Sequence, residues 1–203
     1  MHDIFNCRFD DFLFYLLSRK IGFHSGLSGL GVDELFFEKV FGVYNLTLNK
    51  EVVFFDSDGD DRFTLAVAFI VLYSAISTSN ITFLCQPKEQ YRNAIINVFK
   101  TFKEVAIDFE TEIASGGNNE FVFSIDGRSC EVAFKNDMSY ALKDVKGLVV
   151  FDGCRPLKNH QKMSSLLLNK AAYDKILINF PINEELAKLA VDYELKINKI
   201  KLA

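Results

Sequence analysis

Tryptophan is absent from the 203 residues, and proline and histidine occur only three times each. His2, His24 and His160 are scattered, and none stands at a metal-ligand spacing, so each reads as an ordinary surface or core side chain. The four cysteines, Cys7, Cys85, Cys130 and Cys154, form no CxxC pair and no Cys/His cluster. That excludes a zinc module and points to reduced thiols, mostly in the core, of an intracellular protein. No apolar run approaches the ~20 residues of a membrane-spanning helix. Asp3, Asp10 and Asp11 stand where a secretory leader carries basic residues. A net charge of −4 excludes a polycation that coats nucleic acid and leaves only a local basic patch for such contact.

What the chain has is apolar bulk. Hydrophobic residues make up 49% of it, 21 of them phenylalanine, against an ordinary 25% charged. This length and composition suit one substantial α/β domain with a real core. The phenylalanines read as core residues before they read as a partner surface.

The organising stretch is 51–76. Val52, Val53, Phe54 and Phe55 form an unbroken apolar run, the pattern of a strand buried on both faces. Asp56 to Arg62 carry four aspartates, one glycine and no apolar residue. From Thr64, residues Leu65, Ala66, Ala68, Phe69, Leu72, Tyr73 and Ile76 recur at helical spacing, with Thr64 or Asp61 as the cap. Before this stretch lie an amphipathic helical region over 3–21, a glycine-rich loop over 22–31, and a short helix over 33–41 that ends at Gly42.

After it come a strand over 81–85 and a helix from Pro87 to about Phe102, with Tyr91, Ile95, Val98 and Phe99 inward. Lys88, Arg92, Lys100 and Lys103 decorate that helix, a solvated face before it is a phosphate contact. Residues 106–113 read as a strand. Segments 120–125 and 128–134, joined by Asp126-Gly127, form the clearest hairpin signal. Residues 147–151 and 175–179 are further buried strands, 184–191 a helix and 193–202 a weaker strand. Strands separated by helices predict an α/β three-layer sandwich with a mainly parallel sheet and the hairpin at one margin. The expected organisation is one domain over 1–203: a helical segment 1–48, a core 49–183 and a terminal helix and strand over 184–203.

Strand, polar loop and helix is also the frame in which backbone N–H groups cradle phosphate. Aligning G-x-x-x-x-G-K-[ST] to end at Thr64 puts Ser57 and Arg62 at the glycines and Phe63 at the lysine. Four aspartates there oppose a triphosphate, since a like-charge contact at ~4 Å costs several kcal/mol at an effective dielectric near 20.

Three loops, over 56–61, 152–156 and 179–183, leave the carboxyl ends of the expected parallel strands, the edge where α/β folds place ligands. In this order of elements the chain resembles the ATPase domain of the large terminase subunit, the DNA-packaging motor of tailed phages and herpesviruses, over roughly residues 35–183. VVFF followed by TLAVAFIVLYSA resembles the strand and helix around the P-loop. KEQYRNAIINVF and FVFSIDGRSCEVAF resemble the next helix and hairpin. GLVVF ending in Asp152-Gly153 resembles the Walker B strand, and Asn179-Phe180-Pro181 the coupling motif. The departures fall on the chemistry: Phe63 for lysine, Gly153 for the water-activating glutamate, and Pro181 alone kept of the coupling motif.

The resemblance implies a P-loop NTPase-like fold with a degenerate nucleotide site at Ser57, Arg62, Phe63, Thr64, Asp152 and Gly153. The expectation is a non-catalytic binding or regulatory subunit in viral DNA packaging or DNA handling. Its partner is a protein, either a nucleic-acid motor or a second copy of itself, and it has no cofactor. A rival enzymatic reading makes Asp56, Asp58, Asp60 and Asp152 a Mg²⁺ site of a metal-dependent phosphoesterase or nuclease. A third makes the chain a nucleotide sensor that binds without hydrolysis, against which Phe63 speaks. Asp152 reads equally as a retained metal ligand or as a turn cap. Arg62 and Arg155 stand in the converging loops where they would neutralise aspartates.

Overall fold

The computed structural model describes residues 8–18, 34–47, 52–57, 61–77, 80–86, 88–107, 109–115, 119–135, 147–153, 164, 166–169, 175–179 and 183–199. The helices are α1 (Phe9–Ser18), α2 (Glu34–Thr47), α3 (Asp61–Ser77), α4 (Lys88–Val105) and α5 (Glu184–Asp192). The strands are β1 (Val52–Asp56), β2 (Asn80–Gln86), β3 (Thr111–Ser115), β4 (Glu120–Ile125), β5 (Arg128–Phe134), β6 (Leu148–Gly153), β7 (Lys175–Asn179) and β8 (Ile197–Lys199). They form one sheet in the order β3-β4-β5-β2-β6-β7-β1-β8. Every pairing from β5 to β8 is parallel, and the two pairings among β3, β4 and β5 are antiparallel.

Both faces of the parallel part are covered, which is why its strands are apolar without interruption. Along β1, Val53 and Phe55 face the core under α1 to α4. Phe54 between them faces a second core, with Leu84, Val149, Phe151, Ile176 and Ile178, under Leu166, Leu167 and α5. The result is three layers, as expected.

Helix α3 lies between the sheet and the amino-terminal helices. Residues Phe63 to Leu72 are all buried, so no polar stripe is needed. Its outer side meets rings: Phe69 lies 5.2 Å from Phe37 and 5.9 Å from Phe36, and Tyr73 lies 5.0 Å from Phe9 and 5.4 Å from Tyr44. Phe9, Phe12, Phe36, Phe37 and Phe69 are all buried here, so these phenylalanines are core residues. No helix of the described residues is long and apolar enough to cross a membrane.

The hairpin matches its sequence signal residue for residue. Asp126 and Gly127 have φ of +46° and +77°, the left-handed pair that a tight two-residue turn requires. The turn is tied to the approach to β3, where the Glu110 amide donates to the Asp126 side chain at 2.7 Å and the Asp126 amide to the Glu110 carbonyl at 2.8 Å.

Four local expectations are corrected. The strand expected over 193–202 begins only at Ile197, because Tyr193 and Glu194 turn the chain out of helix α5, with the Tyr193 amide donating to the Leu189 carbonyl at 3.0 Å. Helix α2 runs through Gly42 to Thr47, because Val43 and Tyr44 continue the buried stripe begun by Phe36, Phe37 and Val40. That burial outweighs the ~1 kcal/mol cost of an internal glycine. Strand β3 starts at Thr111, since helix α4 continues to Val105 and Ala106 closes it by donating to the Phe102 carbonyl at 2.8 Å. Thr64 is no cap, because α3 already begins at Asp61 and Thr64 is buried within the first turn.

Candidate functional site at the carboxyl edge of the sheet

Strand order decides what meets here. β7 lies between β1 and β6, so the carboxyl ends of three strands that are distant in sequence stand side by side. Phe55 is in register with Asn179, and Asn179 with Asp152. The loops after β1, β6 and β7 therefore start from one edge, as the sequence predicts.

The side chains at that edge bond to one another. Ser57 follows β1 and is buried. Its hydroxyl donates to Asn179 Oδ1 at 3.1 Å, and its backbone N–H approaches the same oxygen at 3.4 Å. Asn179 donates through Nδ2 to Asp152 Oδ1 at 3.3 Å. The other Asp152 oxygen, Oδ2, accepts from the Tyr91 hydroxyl at 2.8 Å. Tyr91 comes from α4, is 1% exposed, and packs its ring 5.4 Å from Phe83 of β2. Four side chains from β6, β7, α4 and the residue after β1 thus form one continuous chain of hydrogen bonds. Both Asp152 oxygens hold a donor, although a carboxylate has room for more.

The expected site residues divide as follows. Ser57 and Asp152 come together through Asn179. Phe63 turns away from polar partners, being 2% exposed with its ring 5.3 Å from that of Phe55. Thr64 is buried beside it in sequence, in the first turn of α3. Gly153 closes β6, in register with Gln86. Asp56 is 4% exposed at the end of β1, in register with Lys199 of β8. Asp58, Asp60, Cys154, Arg155, Phe180 and Pro181 lie outside the described residues, as do the side chains of Asp61 and Arg62. Among the described residues, no three His, Cys, Asp or Glu side chains gather as a metal set.

Sequence reasoning misses Tyr91 as a site group, and it places Asn179 at this edge only as part of the expected coupling motif, without the role of its amide as the link. The signal for Tyr91 is present: a tyrosine on the inward stripe of a helix needs a partner for its hydroxyl. The partner belongs to a strand 61 residues away along the chain, a distance that only topology closes.

No family model matches the chain, and no curated protein matches it in sequence. Solved structures do match. One is a large terminase from a thermophilic bacteriophage, with a TM-score of 0.52 and 10% identity, covering 82% of this chain and 45% of that one. The same terminase in complex with ADP gives a TM-score of 0.53 and 12% identity, covering 84% and 46%. Over most of its length this chain is similar in fold to part of that large terminase. It spans under half the length of those terminase chains. At this identity the likeness concerns backbone architecture alone, and the chemistry of this edge rests on the chain's own side chains.

Proposed function

We propose that the chain is a non-catalytic terminase-like domain, a binding or regulatory subunit that works beside a nucleic-acid motor in DNA packaging or DNA handling. One observation carries this reading. Position 63, where the sequence resemblance calls for a phosphate-binding lysine, holds an aromatic ring buried against Phe55. A ring in that place supplies no charge to a phosphate, and the aspartates of the preceding loop oppose one. The continuous hydrogen-bond chain from Ser57 to Tyr91 supports the same reading, because these polar groups are engaged with each other.

The terminase structure with ADP makes an adenine nucleotide the ligand to test. Isothermal titration of the purified chain with ATP and Mg²⁺ should give no saturable heat, and a phosphate-release assay should stay at the buffer rate. A micromolar dissociation constant without turnover would replace this reading with the nucleotide-sensor one. Turnover would overturn it outright.

A further inference from the structure

The hydrogen-bond chain at the carboxyl edge has a property that none of its bonds has alone. Ser57 and Tyr91 do not bond to each other, yet each is bonded to a group that bonds the other's partner. Asn179 is the only link between the two halves among the bonds described: its oxygen takes Ser57 and its nitrogen serves Asp152. Its amide must be oriented with the oxygen toward Ser57, and that orientation is fixed from both sides. In a partly buried setting such chains polarise along their length, and their members respond to each other's loss.

We propose that Ser57, Asn179, Asp152 and Tyr91 act as a single clasp that closes the carboxyl edge of the sheet. Loss of the bond at either end weakens the bond at the other. The clasp ties the residue after β1, the tips of β6 and β7, and helix α4, four pieces that share no local sequence. Opening at Asp152 removes the acceptor that holds Asn179 Nδ2, so the amide that accepts from the Ser57 hydroxyl and N–H loses its second anchor. Contact at α4 is thereby felt at the start of the acidic loop. The clasp is independent of whether the chain hydrolyses ATP, because its readout is stability and amide exchange.

The test is a double-mutant cycle with Ser57→Ala and Tyr91→Phe, each the removal of one hydroxyl, followed by urea unfolding. If the clasp is one unit, the second substitution costs much less in the background of the first. The double variant's unfolding constant then falls short of the product of the single effects by about tenfold, equivalent to ~1.4 kcal/mol. Thr101→Val is the control partner for Tyr91→Phe, since Thr101 bonds the Asn97 carbonyl at 2.9 Å on the same helix and outside the clasp. That pair should combine as independent sites. A second readout is local: Tyr91→Phe should speed exchange of the Ser57 amide several-fold, and Thr101→Val should not. Independent effects in the Ser57/Tyr91 cycle, or a Ser57 amide indifferent to Tyr91→Phe, would overturn the proposal.

Discussion

Phe63 is legible in the sequence as an aromatic residue in a lysine's place. Its destination is not, because a ring in the first turn of a helix is free to face loop, solvent or sheet. The sheet wins: β1 brings Phe55 beneath that turn and offers an apolar surface. Phe63→Ala should therefore lower unfolding stability by ~3–5 kcal/mol, as emptying a buried aromatic site does, measured by urea denaturation. Little change would mean that the ring is dispensable to the core. Cys130 shows the same dominance of burial over chemistry. Burial, with the Glu131 charge second, pushes its thiol from 9.0 up to about 12. Between those values the unfolded chain releases the proton and the folded chain keeps it, so the contribution to stability is complete below pH 9 and is lost as pH rises toward 12. Urea midpoints between pH 8 and 11 should fall more steeply for the native chain than for Cys130→Ala. At neutral pH the Cys130 peptide should resist alkylation until denaturant is added, because the thiolate is the reactive form.

At the scale of elements, agreement with the sequence tracks how local the deciding forces are. The hairpin's Asp-Gly turn and the apolar runs of β1 and β7 carry their own instructions, and they appear where the sequence predicts them. Helix ends are settled by neighbours. Gly42 looks like a stop, and α2 passes through it because burial of Val43 and Tyr44 lies beyond. Two glycine substitutions separate these cases. Gly42 is exposed in mid-helix with nothing within 4 Å of an added Cβ, so Gly42→Ala should stabilise the chain by ~1 kcal/mol. Gly127→Ala meets the same open space at φ +77° and should cost ~1–2 kcal/mol, the penalty for a side chain in left-handed backbone. Thermal melts of the two variants should shift in opposite directions, although neither substitution creates a clash.

For the whole molecule, the sequence discloses the layers and the edge at which loops converge, since buried parallel strands leave few topologies. The order of strands is beyond it, and with that order the Ser57–Asn179–Asp152 line, which exists because β7 inserts between β1 and β6. The acidic loop sets the remaining test at this scale. Millimolar Mg²⁺, Mn²⁺ or Ca²⁺ should leave the melting temperature of the chain nearly unchanged, because only a ligand of the folded state raises it. A rise of several degrees, abolished by Asp58→Asn or Asp152→Asn, would favour the phosphoesterase reading. The place of β1 also bears on how the protein is made. Its two neighbours, β7 and β8, lie more than a hundred residues later in the chain. On the ribosome, Val52 to Phe55 emerge as an apolar strand with both edges bare, and they stay so until β7 and β8 have been translated. Premature release or a stalled message therefore leaves a fragment whose central strand is a template for aggregation, and the yield of soluble protein depends on what shields that strand in the meantime.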